Sequence, residues 1–121
     1  MVRNLFVFSG IAFALFFSSC TKEHGSAAVN TTQTGPLFTA VRSVIQANCA
    51  VSGCHTNPNP QNGINFSDDN VIVAQKDRIK VRAVDKAGAP DQMPQVPRPA
   101  LSAADQKKIT DWITAGGAIS N

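Results

Sequence analysis

The apolar residues that follow Pro36 recur at helical spacing. Four of them repeat every three or four positions: Leu37, Val41, Val44 and Ile45. Pro36 suits the first turn of a helix, because the N–H that proline lacks has no partner there. No Gly or Pro interrupts the pattern before Cys49, so the pattern predicts an amphipathic helix over residues 36–47.

A second helical pattern lies near the end of the sequence. Three apolar side chains form its inner face: Ile109, Trp112 and Ile113. Ser102 offers an N-cap, and Asp105 stands three residues later, where a capping box places an acidic or amide side chain. Gly116 and Gly117 are suited to end a helix. We therefore predict a final helix between Ser102 and Gly116.

The stretch between these two helices mixes short apolar segments with turns. Ser67 and the two aspartates after it predict an N-cap and a helix over about residues 68–74. Residues 77–85 alternate apolar and basic side chains as a strand would, yet no second strand is predicted to pair with them. We therefore predict helix there as well, and an all-α fold of about four short helices.

The beginning of the chain predicts export. One positive charge precedes an uncharged, Phe-rich run over residues 5–17, which is typical of a signal-peptide core and too short to span a membrane. Two serines then precede Cys20, which resembles the cleavage site of a bacterial lipoprotein. Residues 1–19 are thus predicted to be a signal peptide and Cys20 a lipidated residue. The alternative is an ordinary secretory signal with an incidental cysteine.

Residues 20–35 are predicted to be a flexible tether between the lipid and a domain over residues 36–121. Val29 is the only sizeable apolar side chain in the tether, so the segment cannot bury enough surface to offset its ordering entropy. The net charge of the whole chain, +3, is too small to indicate a nucleic acid partner. We expect a monomer.

The strongest chemical signal is a group of two thiols and an imidazole within residues 49–55. Cys49 and Cys54 are separated by four residues, and His55 follows the second thiol directly. In c-type haem attachment, each thiol adds across a vinyl group and the next His ligates the iron, usually with two residues between the cysteines. We expect the two extra residues to loop outward at Ser52 and Gly53. Attachment through Cys54 alone is the alternative.

Met93 is the second candidate ligand. The chain has two methionines, and the other is Met1. Met93 lies in a loop with four prolines, which cannot form a helix, and Pro94 restricts the backbone directly after it. A thioether is a soft ligand suited to haem iron. The alternative is that Met93 is an ordinary core side chain.

Taken in order, these features resemble a small class I cytochrome c domain over about residues 36–119. Cys49, Cys54 and His55 match the haem-binding motif of that family, and Met93 with Pro94 matches its distal-ligand segment. The resemblance implies a cytochrome c-like fold in which the N- and C-terminal helices pack together and about four helices surround one covalent haem c. His55 would be the proximal ligand and Met93 the distal ligand.

The resemblance also implies contacts around the haem. A backbone carbonyl soon after the motif is expected to accept the Nδ1 proton of His55, and Pro58 or Pro60 is expected to supply it. A basic side chain of residues 77–85 is the candidate partner of a propionate: Arg78, Lys80 or Arg82. Six apolar side chains are expected to cover the porphyrin: Phe38, Val41, Phe66, Ile79, Trp112 and Ile113. Without haem, we expect a thin core and a largely unfolded chain.

The function predicted from the sequence is one-electron transfer, not catalysis, with a redox protein as partner. The carrier would be an exported bacterial lipoprotein, held through Cys20 at the periplasmic face of a membrane or at the outer membrane. One alternative is a haem peroxidase-like enzyme with Met93 away from the iron and an open distal site. Another is a non-haem binding module with a Cys49–Cys54 disulfide. A zinc site would need His24 as a fourth ligand.

Overall fold

A computed structural model describes residues 33–121 of the chain. Within these residues the fold is helical and contains no strand, as predicted. It consists of α1 (Pro36–Asn48), a 3-10 turn (Gln61–Gly63), α2 (Asp69–Ala74), α3 (Lys76–Lys80), a π-helical turn (Val81–Asp85) and α4 (Ala103–Thr114). The predicted signal peptide, Cys20 and His24 lie outside the described residues. Across the described range, no helix has the length and apolar character needed to cross a membrane.

The first and last helices pack against each other, as predicted, and form the core. Helix α1 buries four side chains, among them Phe38, and α4 buries Ile109 and Trp112. The rings of Phe38 and Trp112 lie 5.7 Å apart at a tilt of 51°. Trp112 donates its Nε1 proton to the carbonyl of Ala118 at 2.9 Å, so its single polar atom is paired inside the core.

Side chains cap α2 and α4 at their N-termini. The Ser102 hydroxyl accepts the backbone N–H of Asp105 at 3.2 Å, which confirms the predicted cap of α4. The cap of α2 is Asp68 and not Ser67, because the Asp68 carboxylate accepts the N–H of Asn70 at 2.8 Å. Each cap satisfies one N–H that has no partner within its helix.

Residues 77–85 are helical, as predicted, despite their alternating pattern. Ile79 and Ala83 are buried, and they share a face because they are four positions apart. A strand would have placed Val81 on that same face, but its exposed fraction is 42%. Lys80 pairs with Asp85 at 2.7 Å, on the outside of this helical segment.

The segment before α1 packs against the residues after α4. The N–H of Gly35 donates to the carbonyl of Ile119 at 2.8 Å, and the N–H of Phe38 donates to that of Asn121 at 3.0 Å. A Cβ atom at Gly35 would overlap the backbone of Asn121. Gly35 therefore belongs to the folded domain, one residue before the predicted start at Pro36.

Candidate functional site

A cavity of about 730 Å³ lies among the loop that follows α1, the α3 segment with its π-helical turn, and the proline-rich loop before α4. Its wall contains all four predicted haem-binding residues of the domain: Cys49, Cys54, His55 and Met93. The volume lies within the range of about 300–1,000 Å³ that is common for ligand pockets. Because 38 positions separate Met93 from His55, only the tertiary fold brings them to one cavity.

Residues 49–55 form a closed loop at the end of α1. The N–H of His55 donates to the carbonyl of Cys49 at 3.0 Å and joins the two ends of the loop. Gly53 has a φ of +77°, and a Cβ atom there would meet nothing within 4 Å. Ser52 and Gly53 are both exposed, so the extra residues of the motif turn outward at the expected place.

The two thiols of the motif differ in burial. Cys49 is 7% exposed, whereas Cys54 is partly exposed, and the two are free cysteines that are not joined to each other. Burial raises the pKa of the Cys49 thiol from 9.0 to about 11, and the nearby positive charge of Arg98 opposes only part of this shift. Cys49 is therefore a neutral thiol at neutral pH.

The imidazole of His55 has a defined hydrogen-bond partner. Its Nδ1 lies 3.2 Å from the carbonyl oxygen of Ile64. A carbonyl can only accept, so in the neutral ring Nδ1 carries the proton and Nε2 keeps a lone pair that can bind a metal. The expectation that Pro58 or Pro60 supplies this carbonyl is wrong.

The loop after the motif explains why Ile64 takes that position. Gln61 donates its N–H to the carbonyl of Cys54 at 2.7 Å, and Phe66 donates to the carbonyl of His55 at 2.8 Å. The loop therefore turns away after the motif and returns to it, and Ile64 lies within the returning part. The rings of Phe66 and His55 are 5.0 Å apart, so Phe66 also limits the movement of the imidazole.

Met93 lies in the cavity wall and not in the hydrophobic core. Its side chain is only partly buried, and it is not a member of the core cluster between α1 and α4. The N–H of Met93 donates to the carbonyl of Arg82 at 2.8 Å, within the π-helical turn. The adjacent Pro94 is buried. These contacts fix the backbone of Met93 against the segment that follows α3.

Gln92 is a buried polar residue that the sequence analysis did not identify. Its exposed fraction is 3%. Its Oε1 accepts the N–H of Gly88 at 2.6 Å, and its Nε2 donates to the carbonyls of Pro94 at 3.1 Å and Arg98 at 3.0 Å. The only sequence signal was a glutamine next to Met93 in a proline-rich loop, which is weak.

Three arginines line the cavity, and two of them have no carboxylate partner. Arg82 forms a salt bridge with Asp91 at 3.3 Å. Within residues 33–121, neither Arg78 nor Arg98 takes part in a salt bridge. Asp77 is the acidic residue in the same wall. Both guanidinium groups therefore lack a carboxylate partner, but Nη1 of Arg98 already donates to the carbonyl of Asn48 at 3.0 Å, so Arg78 is the freer of the two for an anionic group of a ligand.

The apolar part of the wall differs from the expectation. Of the six side chains expected to cover a porphyrin, only Phe66 and Ile79 line the cavity. Phe38, Val41 and Trp112 are fully buried in the core instead. The inner faces of α1 and α4 pack against each other. These side chains therefore cannot also line the cavity.

One polar atom of the cavity wall has no partner. Oε1 of Gln75, at the junction of α2 and α3, is buried and accepts no hydrogen bond from the described residues. A buried acceptor without a donor costs about 1–3 kcal/mol.

The donor set of the cavity fits a c-type haem. Two thiols, an imidazole with a free Nε2 and a thioether are the groups that such a cofactor requires. Ligands of one zinc ion must converge to about 2.0–2.3 Å from a single point, and residues 33–121 hold no such cluster of three His, Cys, Asp or Glu side chains. Thiols that attach to the edge of a porphyrin need no such convergence.

Comparisons of the chain with protein-family models, with curated proteins and with solved structures find no match. The described residues define an all-α domain whose cavity wall carries two thiols, an imidazole and a thioether. The function is therefore inferred from these residues and their contacts.

Proposed function

We propose that the protein is a one-electron carrier with a single covalently attached haem c and a cytochrome c-like fold. One observation carries the proposal: Cys49, Cys54, His55 and Met93 line the same cavity. The chain would be exported and held at a membrane through lipid on Cys20, with a redox protein as partner.

His55 and Met93 are the proposed axial ligands. The hydrogen bond from Nδ1 of His55 to Ile64 orients the ring, makes Nε2 more basic and leaves it free to bind. Bound haem supplies an Fe(III)/Fe(II) couple, whose potential is higher with a thioether ligand than with a second imidazole. If both residues bound the iron, they would leave it no free position for oxygen or peroxide.

Cys49 and Cys54 are the proposed attachment residues. In each thioether, sulfur bonds to one vinyl carbon and the thiol proton ends on the other, so that no oxidant is consumed. The outward turn at Ser52 and Gly53 supports attachment through both thiols despite the longer spacing.

Arg78 and Arg98 are the proposed partners of the propionates. Both line the cavity, and an arginine can bind a carboxylate through two parallel hydrogen bonds. Arg82 is already paired with Asp91, and Lys80 with Asp85, so these two are weaker candidates.

A peroxidase-like enzyme has less support. It would need Met93 away from the iron and a general acid or base beside the open face. His55 is the only histidine within residues 33–121, and it is already the proposed proximal ligand. Asp77 is the carboxyl group in the described cavity wall, and histidine serves as general acid or base more often than a carboxyl group does.

An alkaline pyridine haemochrome spectrum tests the proposal. The protein is co-expressed with a haem-maturation system, and we expect the α band of a haem with both vinyl groups saturated. An intermediate band position would indicate one thioether, as in attachment through Cys54 alone. Purified, correctly exported protein without any haem absorption would contradict the proposal.

The ligand assignment has its own test. Met93→Ala is expected to keep the covalent haem and to lose the low-spin spectrum of the six-coordinate wild type, with a lower reduction potential. A Met93→Ala protein that retains the wild-type spectrum would contradict Met93 as the distal ligand.

A further inference from the structure

The loop over residues 86–100 is held by isolated turn hydrogen bonds and by the salt bridges of Asp91. It has no regular secondary structure, and four of its residues are prolines, which have no N–H to donate. Met93 lies in the middle of this loop. Ordering a long side chain costs conformational entropy, so a loop that held Met93 only after iron bound it would weaken the iron–sulfur bond.

The side chain of Gln92 adds to the turn hydrogen bonds of the loop backbone and to the bond between the N–H of Met93 and the carbonyl of Arg82. It accepts from Gly88, six positions before Pro94, and donates to the carbonyls of Pro94 and Arg98. Both amide protons and the amide oxygen are therefore used, in a residue that is 3% exposed. The three bonds tie the loop together on both sides of Met93.

The same contacts connect the loop to the attachment motif. Gln92 holds the backbone of Arg98, and the Arg98 side chain donates through Nη1 to the carbonyl of Asn48 at 3.0 Å. Asn48 directly precedes Cys49 in the chain. A continuous set of hydrogen bonds thus runs from the residue before Met93 to the residue before the first attachment cysteine.

We propose that Gln92 is a positioning residue that holds Met93 in place for the iron, independently of the iron–sulfur bond. This inference rests on the proposed function, because it assumes that Met93 is a ligand. The physical reason is that the loop is already ordered before the thioether binds the iron. Less conformational entropy is then lost on binding.

Two variants of Gln92 and one matched control test the inference. Gln92→Leu keeps the approximate volume and removes all three bonds, whereas Gln92→Glu can still accept from Gly88 but cannot donate. Gln106→Leu is the control, because Gln106 is partly buried and also donates its amide to a backbone carbonyl, that of Leu101 at 2.8 Å. The readout is the affinity of the ferric protein for added imidazole, which competes with Met93.

Gln92→Leu is expected to bind imidazole about tenfold more tightly than wild type. Loss of the hydrogen bonds of Gln92 should weaken the binding of Met93, the ligand with which imidazole competes, by about the same factor. Gln92→Glu should change in the same direction, and Gln106→Leu should match wild type. A merely structural role would lower the thermal midpoint of the Gln92 and Gln106 variants alike and leave imidazole affinity unchanged. That result would overturn the inference.

A measurement on wild-type protein covers the case in which the Gln92 variants fail to fold. Amide hydrogen exchange at Gly88, whose N–H is held by Gln92, is followed before and after imidazole displaces Met93. The inference predicts that Gly88 stays protected, because its bond does not depend on the iron. Loss of that protection would contradict it.

The outcomes separate this inference from the function it rests on. Wild-type protein without haem would overturn the proposed function, and a Met93→Ala protein with the wild-type spectrum would overturn the assignment of Met93 as a ligand, on which this inference rests. A haem protein in which Met93→Ala changes the spectrum, while Gln92→Leu binds imidazole as wild type does, would overturn only the role of Gln92.

Discussion

The two sides of this domain are held together by different interactions. Between α1 and α4, apolar side chains fill the interior, and Phe38, Ile109 and Trp112 are fully buried. On the cavity side, loops surround an open volume of about 730 Å³, and the contacts that order them are hydrogen bonds to backbone carbonyls, such as those from His55 and Gln92.

Because of this difference, the core side mainly provides stability, whereas the cavity side holds the residues proposed for function. Burial of apolar surface supplies most of the free energy of folding and depends little on direction. Hydrogen bonds add less free energy each, but they fix positions and orientations. We infer that the core supplies most of the stability that the polypeptide itself provides, and that the loop contacts determine where the proposed ligands lie.

Trp112→Ala should have the largest effect on the core side. Truncation of a fully buried tryptophan typically costs about 3–5 kcal/mol, and here it also removes the bond to Ala118. Denaturant unfolding of the haem protein measures this loss of stability. Thr114→Ala is the control, because Thr114 is an exposed residue of the same helix. If the free energy of unfolding fell by less than about 1 kcal/mol, this would contradict the claim that the core supplies most of the stability.

Cys49 gives a test on the cavity side, through pH. Its pKa is raised by burial, so a free Cys49 thiol would stabilise the fold fully below pH 9.0, and this contribution would be lost as pH rises toward 11. The loss would be about 2–3 kcal/mol for a two-unit shift. A thioether has no such proton.

With both cysteines attached, the haem protein should therefore show no loss that depends on Cys49 between these pH values. Unfolding curves of wild type and Cys49→Ala are compared at pH 8 to 11, so that other groups that titrate there cancel. A decline in wild type that Cys49→Ala lacks would mean that Cys49 is free and that Cys54 alone carries the haem.

The cap of α4 provides a smaller effect on the core side. Ser102→Ala removes the acceptor for the Asp105 N–H, and such a change costs about 1 kcal/mol. Ser43→Ala is the matched control, because this exposed hydroxyl bonds only to the carbonyl one turn earlier in α1. We expect the haem spectrum to be unchanged in both variants. Altered iron ligation in Ser102→Ala would show that the two sides are coupled.

The smallest expected effect concerns two surface carboxylates. The hydrogen bond from Lys86 lowers the pKa of Asp91, and those from Lys108 and Ser102 lower that of Asp105. Their stabilising contribution is present above the ordinary value of 3.8 and is lost as pH falls through the lowered values. Both side chains are partly exposed, so solvent screens these interactions and the change is small.

Acid unfolding measures this contribution. Lys86→Ala should weaken the pH dependence below 3.8, whereas Lys76→Ala should not, because Lys76 bonds to the carbonyl of Gly116 and not to a carboxylate. Equal acid sensitivity of wild type and Lys86→Ala would contradict the assignment.

Local patterns in the sequence were enough to predict the helices of the core side. The packing of α1 against α4 was implied by the resemblance alone, and Phe38, Val41 and Trp112 were expected at a porphyrin and not in the core. Helical periodicity identified α1 and α4, and the cap of α4 follows from Ser102 and Asp105 alone. The helix over residues 77–85 needed one more physical argument, that a lone strand has nothing to pair with. These features depend on interactions between residues close in sequence.

On the cavity side, the sequence allowed prediction only of residues whose side-chain type is itself characteristic of a ligand or attachment site. Cys49, Cys54, His55 and Met93 were identified because thiols, imidazoles and thioethers are rare and specific ligands. Which carbonyl meets the imidazole depends on how a loop of ten residues returns, and the prolines near the motif gave the wrong answer. Gln92 was missed for a similar reason. Its side chain contacts three backbone groups of an irregular loop, and such contacts leave no periodic pattern in the sequence.

The intact mass of the purified protein under denaturing conditions tests the central claim most directly. After co-expression with a haem-maturation system, the mass should exceed that of the processed polypeptide by one haem, and Cys49→Ala,Cys54→Ala should lose this increment. A polypeptide without the increment, or one lighter by two hydrogens as a disulfide would make it, would contradict the account.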